Sequence, residues 1–161
     1  MTDEPRQTPL RLYTAVDEHP PLAWSWVEQQ LRDAGTYWIV ANGPAYPSAR
    51  PVWGFWHESA LHMTIGSPAL RAGLAADARV TVHLDSGTDV VIVEGTASSE
   101  DATPALLDAY DTKYDWQYDA DTYGPFTLIA PVVVKAWRAA GVAGRDSFQE
   151  TGRWEFASTP T

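Results

Sequence analysis

Between Thr36 and Ser98 the sequence is a succession of short apolar or alternating runs parted by turn-forming residues, the pattern of a chain that folds as hairpins. Tyr37-Trp38-Ile39-Val40-Ala41 is a compact apolar run closed by Asn42-Gly43-Pro44. A second strand is expected over about 48–56, and His57-Glu58-Ser59 turns it into a third over about 60–65. Residues 79–84 alternate in strand fashion, and the polar stretch 85–89 turns them into an apolar run over 90–94. Residues 126–137 read as a long apolar strand in which Pro131 demands a bulge or an edge position.

Three short helices interrupt these strands. Pro20-Pro21 gives a start signal for a helix to about Asp33, with Gly35 as its stop. Ser67-Pro68 caps and opens a second that ends near Asp77, and Thr103-Pro104 opens a third through about Tyr114. The sum is a mainly β chain of about six strands, which suits a small antiparallel barrel rather than a doubly wound sheet. Residues 1–19 are charged and aperiodic and read as an arm, leaving 20–161 as one domain.

The chain has no cysteine, so disulfides, thiolate catalysis and cysteine metal sites are excluded. Its formal charge of −10 and the lack of any basic run argue against a nucleic-acid partner. No apolar run is long enough to span a membrane, and Met1-Thr2-Asp3-Glu4 is too acidic to begin a signal peptide, so a cytoplasmic location is expected. Eight tryptophans and seven tyrosines are more than a core of this size needs, and as a set they favour an interface or a flat ligand.

Most of the candidate chemistry is ordinary. His57-Glu58 with His62 has the second histidine one residue too late for the zinc-protease helix, and no metal site is expected. His62 and His83 read as polar strand residues, with Thr81, His83 and Asp85 sharing one face. Ser67, Ser86 and Ser147 lack a nucleophile elbow, and the stretch 141–144 is neither a phosphate loop nor a dinucleotide fingerprint. More telling is Thr64-Ile65-Gly66-Ser67-Pro68, a strand ending at a helix start, where backbone N–H groups suit an anion. Ser67 adds a hydroxyl there, and Arg71, one turn on, adds charge.

Pro51-Val52-Trp53-Gly54-Phe55-Trp56, the turn and strand that lead to Ser67, the hairpin over 82–95, the strand over 126–137 and the terminal Gly152-Arg153-Trp154-Glu155-Phe156 occur in an order that resembles the pyridoxamine 5'-phosphate oxidase-like family, including its flavin and deazaflavin oxidoreductases. The resemblance covers about 21–156. It implies a six-stranded antiparallel split β-barrel, a homodimer with two equivalent cofactor clefts, and FMN-dependent oxidoreduction of a small organic substrate. By the same resemblance Arg50, Pro51, Val52 and Trp53 match the cofactor strand, and Thr64, Ile65, Gly66, Ser67 and Arg71 match the phosphate loop. Trp137, Arg153 and Trp154 are assigned to the cleft wall. No residue stands out as a catalytic acid or base.

One stretch departs from the family. Members that hold a phosphate tightly usually carry Lys and Arg in the helix after the loop, whereas Ala69-Leu70-Arg71-Ala72-Gly73-Leu74 keeps only Arg71 and has Leu70 where a lysine is common. Two alternatives therefore stand beside the FMN enzyme: a deazaflavin-dependent reductase, and a non-catalytic dimer that binds a small planar ligand without a cofactor.

Overall fold

The computed structural model describes residues 4–11, 19–141 and 147–157. Residues 1–3 and 12–18 of the N-terminal arm, residues 142–144 of the stretch 141–144, and the side chain of Ser147 lie outside the described residues. The elements in chain order are β1 (Arg6–Thr8), α1 (Trp24–Asp33), β2 (Tyr37–Ala41), β3 (Ser48–His57), β4 (Ala60–Thr64), α2 (Pro68–Ala76), β5 (Arg79–His83), β6 (Asp89–Glu100), α3 (Pro104–Tyr114), α4 (Ala120–Tyr123), β7 (Phe126–Ala140) and β8 (Ser147–Glu155).

Every pairing between these strands is antiparallel, and six of them close a ring. Around it β2 pairs with β3, β3 with β4, β4 with β7, β7 with β6, β6 with β5, and β5 returns to β2. The mainly β, six-stranded antiparallel barrel expected from the sequence is thus observed. β8 adds to β7 outside the ring, and β1 adds to β8.

β7 closes the barrel because its fifteen residues serve three partners. One edge follows β6 throughout, while the other meets β4 over residues 127–129 and β8 from Val133 onward. Pro131 falls between the β4 and β8 contacts, where its missing N–H is not required. Opposite it the register shifts between Glu94 and Gly95, the first of the two settings, bulge or edge, that the proline allowed. Gly95 is needed there, since a Cβ would lie 2.3 Å from the Ala130 carbonyl oxygen.

The main core fills the barrel and the space beneath α1, with Tyr37, Ile39, Leu61, Met63, Ile129 and Val134 all fully buried. Val27 and Leu31 are the buried face of α1. This helix begins four residues later than Pro20-Pro21 suggested, because that segment is held in extended form by β8: Leu22 N–H donates to Thr151 O at 2.9 Å and Thr151 N–H donates to Pro20 O at 3.1 Å. α2 and α3 start as expected, with Ser67 Oγ accepting from Leu70 N–H at 3.3 Å and Thr103 Oγ1 accepting from Leu106 N–H at 3.4 Å. A smaller cluster of Phe55, Leu106, Tyr110 and Phe126 seats α3 on the barrel.

The β3–β4 hairpin turns through Glu58 and Ser59, both in the left-handed region at φ 46° and 64°. A two-residue turn of this kind prefers glycine at its second position. Ser59→Gly is expected to raise stability by up to about 1 kcal/mol, or about 2–4 °C in thermal melting; an unchanged or lowered melting temperature would refute the assignment of strain.

Candidate functional site

Where β3 and β4 run side by side, Trp53 lies opposite Thr64, and the chain then leaves the barrel through Ile65 and Gly66. These four residues form one wall of a cleft of about 430 Å³. Arg71 of α2, Tyr110 of α3, and Trp116, Tyr118, Thr122 and Tyr123 from the 115–123 segment complete it. Trp53, Trp116 and Tyr123 are each about half exposed, at 46%, 51% and 49%. Aromatic side chains left open around a concavity are a common feature of ligand sites and interfaces.

The position of Trp53 is fixed from behind. Its indole stacks on Tyr114 with centroids 4.8 Å apart and 6° between planes. The Tyr114 hydroxyl accepts from Gly54 N–H at 2.9 Å and donates to Gly54 O at 2.7 Å, and Lys113 Nζ donates to the same carbonyl at 2.9 Å. The last turn of α3 thereby grips the backbone next to Trp53. Lys113 Nζ also donates to the Tyr37 hydroxyl at 2.8 Å and lies over the Tyr37 ring.

Burial pushes the Lys113 amine down to about 8, against a smaller opposing effect of the Asp33 charge. In the unfolded chain the same lysine keeps its proton to its ordinary value of 10.5. Between these values the unfolded state binds more protons, so folding stability rises with pH across that window. Chemical denaturation of the wild type at increasing pH should show this rise, and Lys113→Met should lack it; equal slopes for the two proteins would contradict the assignment.

Arg71 joins three segments. Its Nε donates to Ile65 O and its Nη2 donates to Tyr123 O at 3.0 Å, so the guanidinium ties the β4 exit to the end of α4. Arg6, Arg32, Arg79, Lys135, Arg138 and Arg153 each meet a carboxylate. Arg71 is instead held by neutral carbonyls, and among the described residues no acidic side chain lines the cleft. Carboxylates stand just behind the lining of the cleft, Asp111 accepting from Tyr118 N–H and Asp119 from Thr122. Burial raises the phenols of Tyr110 and Tyr118, which therefore line it as neutral hydroxyls.

Of the residues singled out in the sequence, Trp53, Thr64, Ile65, Gly66 and Arg71 come together in this one cleft. Ser67 is the cap of α2 and does not line it. Arg50, Pro51 and Val52 lie further back on β3, opposite Ile39, Trp38 and Tyr37. Trp137 lies between Val90 and Thr151 in the sheet, and Arg153 is held by Thr8 and Glu155. Trp154, assigned to the cleft wall, is 1% exposed and packs in the core 5.4 Å from the Trp24 ring. Gly152 makes room for its indole, which a Cβ would meet at 2.2 Å. Leu70 likewise points into the core at 3% exposure, so a basic side chain at that position of α2 would not face the cleft.

The aromatic residues from Trp116 to Tyr123 escaped the sequence reading, because the four-residue α4 has no period to detect. The one available signal was the density of Tyr110, Tyr114, Trp116, Tyr118 and Tyr123 in a short span. His62 has a structural setting: Nδ1 lies 2.6 Å from Glu100 Oε2, Nε2 lies 3.2 Å from His57 O, and its ring stacks on Phe55. His83 Nδ1 is 2.9 Å from Leu84 O, while Asp85 accepts from Trp38 Nε1. Among the described residues no cluster of three metal-ligating side chains occurs, and no helix is long and apolar enough to cross a membrane.

The closed six-stranded ring with short helices inserted between its hairpins is the split barrel of pyridoxamine 5'-phosphate oxidase-like proteins. No protein-family model matches the sequence, and no curated protein matches it. Solved structures do share the fold. A conserved hypothetical protein of Mycobacterium tuberculosis is similar with a TM-score of 0.62 at 16% identity, over 78% of this chain and 90% of that one. A FAD-binding protein of Mesorhizobium loti superposes with a TM-score of 0.55 at 13% identity, over 82% and 94%. A Listeria innocua protein proposed to be a pyridoxamine 5'-phosphate oxidase gives 0.54 at 13% identity, over 70% and 93%.

Proposed function

We propose that the cleft bordered by Trp53, Gly66 and Arg71 binds FMN, and that the chain is a homodimeric flavin-dependent oxidoreductase acting on a small organic substrate. The observation that carries this reading is the convergence, in one cleft, of an aromatic wall, an open strand-to-helix loop and a cation with no carboxylate partner among the described residues. The cleft volume of about 430 Å³ is within the range of small-molecule sites. FMN would supply the electron-transfer chemistry; the protein's part is to bind it, orient it and exclude water. Trp53, Tyr118 and Tyr123 offer faces and edges to a planar ring, and Arg71 with the Gly66 backbone offers donors to a phosphate. A second copy of the chain would cover the exposed Trp53 and Trp116.

The deazaflavin alternative is disfavoured by charge, since a polyglutamate tail meets a chain of −10. The non-catalytic alternative draws support from Arg71, two of whose nitrogens are already engaged by Ile65 O and Tyr123 O. Induced visible circular dichroism of FMN tests the reading. A signal with the wild type, weakened about ten-fold in apparent affinity by Trp53→Ala, and a dimer in size-exclusion chromatography are expected; no induced signal would overturn it.

A further inference from the structure

Arg71 also borders a second cavity, of about 280 Å³, which shares no other lining residue with the aromatic cleft. Ala75, Ala97 and Pro125 give it apolar walls, with Leu74 and Phe126 buried behind them, and Ser98, Ser99 and Thr127 are its polar lining. Among the described residues no carboxylate lines it, in a chain whose acids outnumber its bases by 21 to 11.

Two donors at this cavity, one from Arg71 and one from the β6 backbone, have no partner among the described residues. Arg71 Nη1 makes no hydrogen bond among the described residues, since Nε and Nη2 hold Ile65 O and Tyr123 O. Ala97 N–H turns away from β7 to donate to Ala78 O at 2.7 Å. The β6–β7 register runs without a shift from Gly95 to Glu100, so the alternation of an antiparallel ladder puts Ser99 N–H on the same outward edge. β5 pairs with β6 only as far as Thr96, and no strand among the described residues covers the edge beyond it. A guanidinium, an open backbone N–H and a polar lining over apolar walls match a ligand with one compact anionic end and an apolar remainder. A carboxylate oxygen can take the free Nη1, and the cavity, just under the about 300 Å³ at which small-molecule sites usually begin, restricts the ligand to a small one.

We propose that this second cavity binds a small organic monocarboxylate, its carboxylate on Arg71 and Ser99 and its apolar body against Ala75, Ala97 and Pro125. The carboxylate does not need FMN in the neighbouring cleft, but Arg71 is common to both sites, so the carboxylate and an FMN phosphate compete for it.

The test is a backbone-amide NMR titration of the full chain with hydrocinnamate, run beside its uncharged amide, hydrocinnamamide. Saturable shifts at Ser98, Ser99 and Thr127 are expected, at least about ten-fold weaker with the amide. Ala75→Phe, placed on the exposed side of α2 to fill the cavity, should abolish them, with Ala97→Leu as a second filling variant; Trp53→Ala should leave them intact. The proposal is overturned if hydrocinnamate shifts none of these amides, if the amide acts equally well, or if binding survives both filling variants. FMN titrated into separate samples free of hydrocinnamate separates the two readings, because its failure there with the carboxylate response intact removes only the cofactor assignment.

Discussion

Arg71→Ala is expected to raise the dissociation constant for FMN by about one to two decades, the roughly 1.5–3 kcal/mol carried by a charge-assisted hydrogen bond to a phosphate. Arg71 is the single cation among the residues lining the cleft. The substitution has a second effect, because the same guanidinium ties Ile65 O to Tyr123 O. Without it the 115–123 segment loses its connection to the β4 exit, and amide exchange at Tyr123 and Gly124 should accelerate. Arg71→Lys separates the two contributions: it keeps the charge but cannot span both carbonyls, so exchange should accelerate while most of the affinity remains. Unchanged FMN affinity in Arg71→Ala would remove Arg71 from the site.

Trp154→Ala is expected to destabilise the fold by about 3–5 kcal/mol, the range for deleting a fully buried large aromatic side chain. In a chain of this length that corresponds to a fall in melting temperature of roughly 6–20 °C. Trp154 is the largest of the fully buried side chains, and it packs against Trp24 at the start of α1 while being carried by β8. Its loss opens a cavity where helix, barrel and outer strand meet. Because Trp154 does not line the cleft, FMN affinity measured well below the melting temperature should be unchanged. Urea unfolding beside an FMN titration reads both quantities, and a stability loss below about 1 kcal/mol, or a selective loss of affinity, would return Trp154 to the cleft wall.

Local features of this chain were legible because they depend on neighbours in sequence. The apolar run Tyr37–Ala41, the turn at His57-Glu58-Ser59, and the caps Ser67-Pro68 and Thr103-Pro104 each fix an element by short-range chemistry. Pro131 even announced a bulge or an edge position, and the bulge is at Gly95. Long-range facts were not legible. That β7 serves β6, β4 and β8 together follows from register between residues far apart in the chain. Whether residue 70 or residue 71 of α2 faces the cleft depends on the rotation of the helix on the barrel. Trp154 reads equally well as core or cleft until the pleat of β8 is known. The aromatic side of the site, from Trp116 to Tyr123, lies on a segment whose position is set by Arg71 and by Tyr118 OH donating to Gly124 O at 3.0 Å, and neither contact has a sequence period.

The most direct measurement of the central claim is a fluorescence and visible-absorption titration of the purified protein with FMN, with the deazaflavin coenzyme in parallel. Stacking against the Trp53 wall should quench FMN emission saturably at micromolar concentrations or below, with weaker binding of the deazaflavin. FMN emission that stays unchanged at protein concentrations well above that range would contradict the claim, and the aromatic cleft would then belong to a different planar ligand.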